Sequence, residues 1–249
     1  MTLFTVCLCT YNGGAFLERQ LNSILDQSAF HLIDSILVCD DRSTDNTIEI
    51  LHLYSLITPK IKISVNNRRL GPLKNFEKAL SLGQSEYLVL CDQDDIWHRR
   101  KLECLSKNIE NNPSALILVH DASIIDENDV KIHPSFMTNF KGSFSSKLMS
   151  NFITNKYLGC TMAIKASLLK LALPFPLASP QHDIWLGILG SITHSTIYID
   201  QPLTSYRTHR YNASPASQNK SGSIFKLIQL RFRYILCIMI AYTRYLSTS

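Results

Sequence analysis

The chain has 249 residues, of which 45% are hydrophobic and 18% are charged, and its formal net charge is +5. That composition indicates a globular protein with a full-sized core, most simply one large domain, and excludes a disordered or fibrous chain. No uninterrupted apolar run approaches the roughly 18 residues that cross a bilayer, and the N-terminus lacks the basic segment of a secretory signal. The seven cysteines form no C-x-x-C pair, which is typical of reduced cysteines in a cytosolic protein.

The first half of the chain alternates strand-like apolar runs with amphipathic segments. Strands are predicted at residues 4–10, 35–39, 60–65, 87–91 and 115–119. Helices are predicted between them, at residues 16–25, 46–56, 73–82 and 98–109. The repeated order of strand, polar loop and helix predicts an α/β protein with a mostly parallel sheet covered by helices.

The second half of the chain is less regular. Loops are predicted at residues 121–129, 131–146 and 214–223. Strands are predicted at residues 158–164 and 196–199, and helices at 165–173 and from His182 through Leu189. The last segment, residues 224–246, is basic, aromatic and apolar, which predicts an amphipathic helix.

Polar side chains follow three of the predicted strands. Thr10-Tyr11-Asn12 ends the first strand, Asp40-Asp41 the second and Asp92-Gln93-Asp94-Asp95 the fourth. Ligands of parallel α/β sheets bind beyond the carboxyl ends of the strands, so we expect these clusters to share one functional rim.

The spacing of Asp92 and Asp94 points to a metal. In an extended backbone, side chains two positions apart leave on the same face, and two like charges that close repel unless a cation lies between them. Carboxylate oxygens suit Mg²⁺ or Mn²⁺. A solvated acidic turn is the alternative, whereas a calcium loop is excluded because Ile96 and Trp97 stand where it needs an oxygen ligand and Gly.

Taken in this order, the motifs resemble those of the family 2 glycosyltransferases with the GT-A fold. The resemblance covers residues 3–212 and rests on Cys9-Thr10-Tyr11-Asn12, Asp40 to Asp45, Gly71 with Asn75, Asp92 to Trp97, and His182-Asp183-Ile184-Trp185. The D-Q-D-D-I-W sequence is similar to bacterial enzymes of polysaccharide and O-antigen synthesis, including rhamnosyltransferases. The resemblance implies a Rossmann-like central sheet, with a nucleotide-sugar-binding half at residues 1–119 and an acceptor half at 120–212.

The resemblance also implies inverting transfer from a nucleotide-diphospho-sugar. The expected donor-site residues are Thr10, Tyr11, Asn12, Asp41, Asn75, Asp92, Gln93, Asp94, Arg207 and His209, with Asp92 and Asp94 as ligands of Mg²⁺ or Mn²⁺. A carboxylate at Asp41 can accept the N3–H of uracil or thymine, which predicts a UDP- or dTDP-sugar such as dTDP-rhamnose. Capping of the next helix by Asp40 and Asp41 is the alternative. Arg207 and His209 resemble an element that closes over the diphosphate, against the alternative of a solvated basic loop.

Inverting transfer needs a base on the face opposite the leaving group, and Asp183 is the candidate. It stands at a predicted helix start, where the helix dipole is expected to keep its pKa low. A helix cap is the alternative. The further candidates for contact with the acceptor or the donor sugar are Asp95, Trp97, His182 and Trp185.

Residues 213–249 are predicted to form a linker and a basic amphipathic helix. Such a helix favours peripheral association with the cytoplasmic face of the inner membrane, where the acceptor would be a lipid-linked saccharide. Packing on the catalytic domain or on a second copy in a homodimer is the alternative, and nucleic acid is not an expected partner. Two rival functions stay open, a nucleotidyltransferase and a degenerate nucleotide-sugar-binding scaffold. The first would need a basic residue in the loop from Thr10 to Gly14, which has none.

Overall fold

The computed structural model of the chain describes residues 2–139, 143–209 and 224–248. Within these ranges the strands are β1 (Phe4–Thr10), β2 (Ile33–Asp40), β3 (Ile61–Val65), β4 (Tyr87–Asp92), β5 (Ile96–Trp97), β6 (Ile117–Ile125), β7 (Lys131–His133), β8 (Met162–Lys165) and β9 (Thr196–Arg207). The α-helices there are α1 (Leu17–Leu25), α2 (Thr47–Ile57), α3 (Pro72–Leu82), α4 (Lys101–Asn111), α5 (Phe136–Asn139), α6 (Leu148–Ile153), α7 (Leu169–Ala172), α8 (His182–Ile192) and α9 (Ile224–Thr248). The loop predicted at residues 214–223 lies outside the described residues.

The described strands form one sheet in the order β3-β2-β1-β4-β8-β6-β9-β5, with β7 paired to β6. Strands β3, β2, β1 and β4 run parallel to one another, and β6 runs parallel to β9. Strand β8 is antiparallel to both β4 and β6 and joins the two parallel groups. The predicted α/β architecture with a mostly parallel central sheet is therefore confirmed, and the predicted donor and acceptor halves share that sheet.

Helices cover both faces of the sheet, which explains why β1 is buried along its whole length. Val6 and Leu8 pack on one face with side chains from α1, α2 and α4. Cys7 and Cys9 alternate with them and pack on the other face with α3, α8 and α9. The two hydrophobic layers hold the carboxyl ends of the parallel strands rigidly at one rim.

The greatest departure from the predicted elements lies in the acceptor half. Strand β6 continues to Ile125 and β9 to Arg207, although the predicted strands ended at residues 119 and 199. The two strands pair with each other beyond those points, with register shifts around Asp121, and so bury polar residues. Asp121 is satisfied locally, because its carboxylate accepts the backbone N–H groups of Ala122 and Met137. Tertiary pairing, which local polarity does not reveal, decided the strand lengths.

Helix α9 packs on the catalytic domain. This packing was one of the alternatives to membrane association that the sequence left open for this segment. Its Tyr234, Cys237 and Ala241 are buried in the same hydrophobic cluster as Trp185 of α8. Among the helices of the described residues, none combines the length and the apolar character needed to cross a membrane.

Candidate active site

The ends of β1 and β2 are joined by hydrogen bonds between their loops. The Thr10 hydroxyl donates to Asp40 at 2.7 Å, and Asp40 also accepts the backbone N–H and the hydroxyl of Ser43. Thr10 is 2% exposed. The Thr10 hydroxyl therefore holds the Asp40 loop in place, and contact of Thr10 with the donor stays a prediction.

Asn12 continues this connection. It has a positive φ of 47°, its backbone N–H donates to the Ser43 hydroxyl, and its side-chain oxygen accepts the Thr44 N–H at 2.8 Å. The carboxylate of Asp45 accepts the N–H groups of Gly14 and Thr47. Asp45 therefore accepts the first N–H of α2. Asp40 and Asp41 do not, so the helix-capping alternative for these two residues is wrong.

Gln93 joins β1 to β4. Its side-chain oxygen accepts the Tyr11 N–H at 2.8 Å, and its amide nitrogen donates to the Tyr11 carbonyl at 3.0 Å. The amide therefore pairs with the backbone of the neighbouring loop, where a donor contact was expected. A Cβ at Gly13 would lie 2.2 Å from the same Gln93 oxygen, so this close approach requires glycine.

Substitution of Gly13 by Ala is expected to displace the Gln93 amide and to destabilise the protein by about 1–3 kcal/mol, the cost of leaving such groups unpaired. Urea unfolding measures the change in the free energy of unfolding. If displacement of Gln93 is the cause, Gly13→Ala costs little in a Gln93→Ala background. An equal cost in both backgrounds would show that the alanine acts through the loop backbone.

Asp41 lies in a buried network behind the rim. Its carboxylate accepts the backbone N–H groups of Leu70 at 2.6 Å and Gly71 at 2.8 Å, and the Asn66 amide at 2.9 Å. The Asn75 side chain accepts from Asn66 and donates to a β2 carbonyl. Asn75 is 2% exposed and supports the Asp41 network, and its expected contact with the donor stays a prediction.

Tyr11 has a cationic neighbour that sequence reasoning missed. The Arg69 guanidinium lies 3.9 Å from the centroid of the Tyr11 ring, close enough for a cation–π contact. Arg69 follows the β3 end and is exposed. The sequence does not predict this contact, because Tyr11 and Arg69 are far apart in the chain. Only the folded sheet brings the ends of β1 and β3 to one edge.

The acidic motif does not have the backbone that its spacing suggested. Strand β4 ends at Asp92, and Gln93 and Asp94 lie in a turn, so the argument from an extended chain fails. Ligand atoms of Asp92, Asp95 and Cys160 instead lie within 4.8 Å of one another. Burial first, then the charges of Asp95, Asp94 and Asp183, raises the pKa of Asp92 well above its usual range.

Asp95 is the most buried of these carboxylates, at 1% exposure. One oxygen accepts the Arg207 N–H at 3.0 Å, and the other has no hydrogen-bond partner among the residues that the structure describes. Burial, with a smaller contribution from the Asp94 charge, raises the pKa of Asp95 to about 7. This buried position favours a cation as the partner of Asp95. It does not by itself support the expected contact of Asp95 with sugar hydroxyls.

Asp94 pairs with His209 at the outer side of the rim. The His209 Nε2 atom lies 2.8 Å from the Asp94 carboxylate, and the His209 ring stacks on Phe16. Burial raises the pKa of the Cys160 thiol, so the thiol stays protonated and is a poor ligand for a hard cation. Among the described residues, one Asp95 oxygen has no hydrogen-bond partner, Asp92 lies close to other carboxylates that repel its charge, and Asp94 pairs with His209. Together these side chains are a donor set that fits Mg²⁺ or Mn²⁺.

Arg207 is fully buried and is engaged by protein groups. Its Nε atom donates to the Asp94 carbonyl at 2.7 Å, Nη1 donates to the Asp126 carbonyl, and the guanidinium forms an ion pair with Asp129. The solvated-loop alternative is wrong for Arg207, because its side chain is buried, and binding of the diphosphate by Arg207 stays a prediction. The residue ties the acidic turn to the end of β6.

Asp183 lies in the first turn of α8 and is 7% exposed. It accepts the Ile184 N–H at 2.8 Å and the Asn155 amide at 3.2 Å. Burial outweighs both hydrogen bonds and raises the pKa of Asp183 to about 6, so the predicted low pKa is wrong. Its charge also contributes to the raised pKa of Asp92.

His182 packs against Phe76, with ring centroids 4.0 Å apart. Burial lowers the pKa of His182 to about 3, so the imidazole is neutral near pH 7 and cannot tune Asp183 through a charge. The two tryptophan candidates are corrected to core positions. Trp185 is fully buried and donates to the Ala172 carbonyl, and Trp97 is 3% exposed beneath the Lys101 ammonium.

A mostly parallel central sheet flanked by helices, with acidic side chains gathered where β4 ends, is the architecture of the GT-A fold. The model of glycosyl transferase family 2 matches residues 5–170, and the chain belongs to this family and is a glycosyltransferase. It is 29% identical to the dTDP-rhamnosyl transferase RfbG of Shigella flexneri over 219 residues, covering 82% of this chain and 72% of the relative.

Two further likenesses extend over most of the chain. The UDP-Glc:alpha-D-GlcNAc-diphosphoundecaprenol beta-1,3-glucosyltransferase WfgD of Escherichia coli is 27% identical over 220 residues, covering 88% of this chain and 81% of the relative. The structure of S. aureus TarS 1–349 with UDP-GlcNAc superposes with a TM-score of 0.69 at 20% identity, covering 99% of this chain and 73% of that one. The latter likeness shows the shared fold.

Proposed function

We propose that this glycosyltransferase moves a sugar from a UDP- or dTDP-sugar, with dTDP-rhamnose as the first candidate, to a lipid-linked saccharide, with inversion at the anomeric carbon. The product would belong to a cell-surface polysaccharide. One observation carries the proposal: Asp183 is a buried carboxylate with a raised pKa, held in the first turn of α8, and its charge acts on Asp92 at the end of β4. The names of the two relatives, a dTDP-rhamnosyl transferase and a glucosyltransferase acting on a diphosphoundecaprenol acceptor, support the two substrate classes.

In this proposal Asp183 takes the proton of the acceptor hydroxyl while that oxygen bonds to the anomeric carbon and the nucleoside diphosphate leaves. A pKa of about 6 leaves the carboxylate ionised at pH 7 and more basic than an ordinary aspartate. The hydrogen bonds from Ile184 and Asn155 hold it in place. The acceptor half, residues 120–212, thus supplies the base, and residues 1–119 supply most of the donor site, with Arg207 and His209 as the expected contributions from the other half.

Enzymes of this fold and family generally use a divalent metal, and Asp92, Asp94, Asp95 and His209 are the residues that would hold it. When bound, Mg²⁺ or Mn²⁺ would neutralise charge on the departing diphosphate. The chain's own contribution is to hold the ligands. The Arg207 backbone and side chain bind Asp95 and Asp94, and the Gln93 amide fixes the turn between them and Asp92.

We expect nucleotide choice to run through Asp41, with Tyr11 and Asn12 beside the base. The Asp41 Oδ2 atom accepts the Gly71 N–H, and a carboxylate oxygen can accept a second hydrogen bond, such as one from the N3–H of uracil or thymine. Asp41→Asn should therefore reduce the preference for UDP and dTDP over CDP by about tenfold, which corresponds to roughly 1.4 kcal/mol. Titration calorimetry with the three nucleotides measures the preference.

Asp45→Asn is the matched control, because Asp45 also binds two backbone N–H groups at the rim but is not proposed to touch the base. Equal loss of preference in both variants would mean that loosened loops, and not base recognition, cause the effect. Wild-type protein that binds CDP as tightly as UDP and dTDP would remove Asp41 from the donor site.

The function itself is tested with a panel of UDP-, dTDP- and GDP-sugars in Mn²⁺. A ligand that binds only the native state raises its melting temperature, so the true donor should give the largest thermal shift and should be consumed with an acceptor extract. We expect a dTDP- or UDP-sugar to do both. A GDP-sugar that alone shifts and turns over would overturn the proposed donor class.

Peripheral association with the cytoplasmic face of the inner membrane completes the proposal, because a diphosphate-linked lipid acceptor would be presented there. A homodimer through α9 is the competing arrangement. The distribution of apolar and charged side chains on α9 and α6 supports the membrane over the dimer.

A further inference from the structure

Acidic residues are distributed very unevenly along the chain. Residues 130–182 contain six lysines and no Asp or Glu, and residues 201–249 contain seven Lys or Arg and again no Asp or Glu. The first stretch includes α6, and the second includes α9. Both helices therefore belong to parts of the chain that carry only positive charge at neutral pH, which favours contact with an anionic surface.

Helix α9 has two apolar faces. Tyr234, Cys237 and Ala241 on one face are buried against the catalytic domain. The other face carries exposed apolar side chains at alternating spacings of four and three residues: Ile228, Phe232, Ile235, Met239, Tyr242 and Leu246. Spacing of this kind places them in one stripe along the helix. We call these six residues the apolar stripe.

Three arginines of α9 fix the helix to the domain. Arg231 donates to the Ile153 carbonyl, Arg233 to the Ala178 and Ser179 carbonyls, and Arg244 to the Leu171, Ala172 and Pro174 carbonyls. These bonds set the orientation of α9, and hence the direction in which the apolar stripe faces.

The Arg231 bond also places α9 beside α6. On α6, Met149 is 69% exposed and Ile153 is 64% exposed, so both helices expose apolar side chains, and the Arg231–Ile153 bond links the two helices. Asn155 follows Ile153 by two residues and donates to Asp183. The exposed apolar side chains of α6 therefore lie close in the chain to Asn155, which holds the proposed base Asp183.

We infer that the apolar stripe, together with Met149 and Ile153, binds the surface of an anionic lipid bilayer and holds the acceptor side of the active site, at Asp183, next to that surface. The inference rests on the proposed function for its acceptor, because a saccharide carried on a lipid would reach Asp183 from there. A second copy fits less well, since the sequence of α9 contains no carboxylate and two such helices would bring only positive charges together.

Flotation with extruded vesicles tests the inference on the full chain. Wild-type protein is expected to float with vesicles of phosphatidylcholine containing 30% phosphatidylglycerol, and much less with phosphatidylcholine alone. The variant Phe232→Ser/Met239→Ser removes two stripe side chains, each 60% exposed, and should lower the partition coefficient for the anionic vesicles at least about tenfold. The control Leu53→Ser/Leu56→Ser removes two exposed leucines of α2 and should float like the wild type.

Three results would overturn the inference. The first is equal binding to neutral and anionic vesicles, and the second is an equal loss of flotation in the α2 control. The third is no flotation together with a dimer in sedimentation velocity that the Phe232→Ser/Met239→Ser variant abolishes. The last would assign the stripe to a second copy. Thermal shifts with nucleotide-sugars are measured without vesicles on the same proteins. If nucleotide-sugars raise the melting temperature but the protein does not float, the binding to lipid is overturned and the proposed donor is not. If the protein floats but no UDP- or dTDP-sugar raises the melting temperature, the proposed donor is overturned and the binding to lipid is not.

Discussion

Replacement of Asp183 by Asn is expected to lower turnover by about 10²–10⁴-fold while leaving the donor affinity near that of the wild type. The asparagine oxygen can still accept the Ile184 N–H, so α8 keeps its first turn, but the proton acceptor is lost. Single-turnover kinetics at saturating donor, together with calorimetry of donor binding, separate the two quantities. Weakened nucleotide binding in this variant would instead place Asp183 in the donor site.

The pH dependence of the same variant gives an independent check. If the ionised form of Asp183 with a pKa of about 6 is the base, the wild-type rate should fall as the pH drops through 6, and Asp183→Asn should lose that limb of the profile. Because folding raises this pKa above that of an unfolded aspartate, ionisation costs stability as the pH rises from about 4 to 6. The variant should therefore melt no lower than the wild type at pH 7.5, which guards against a folding defect.

Replacement of Asp94 by Asn is the second change with a large expected effect. It removes a metal-ligand candidate and the partner of His209 from the rim. We expect Mn²⁺-dependent binding of UDP or dTDP to weaken strongly and turnover to fall by about 10²–10³-fold, the range seen when charge stabilisation at a leaving group is lost. Calorimetry of nucleotide binding with Mn²⁺ and with EDTA measures the metal dependence directly.

His209→Gln is expected to shift the metal dependence in the same direction, because it removes the adjacent imidazole. Asp26→Asn, at an exposed carboxylate of the α1 C-terminal end, serves as the charge-matched control and should behave as the wild type. Wild-type protein with full activity in EDTA would contradict the metal site and leave Asp94 a structural partner of His209.

Much of the fold follows from local pattern. The apolar runs of β1 and β4 predict buried strands, and the spacing of apolar residues in α1 and α3 predicts helices that pack on them, because periodicity reports which face is buried. The order of strand and helix is enough to place Asp41 and Asp92 at one rim. Membership in the glycosyltransferase family follows from the order and spacing of these motifs and is confirmed by the family match.

The tertiary structure decided which protein groups the polar side chains at the rim contact. Thr10, Gln93, Asn75 and Arg207 have the polar chemistry of donor contacts, yet each is used in the hydrogen bonds that join neighbouring loops, and those partners are distant in the chain. Trp185 follows Asp183 closely in the chain, but the helix turns its ring into the core.

The sequence by itself determined the fold class, the family, the acidic rim and the candidate base, because these depend on periodicity and on the order of residue types. It did not determine the charge state of Asp183 or the neighbours of Asp95. Burial sets a pKa by excluding water, and only packing of α8 and β9 against the rim excludes it. The same holds for α9, whose composition shows an apolar and basic helix, while only its contacts reveal which face is covered and which is left for a partner.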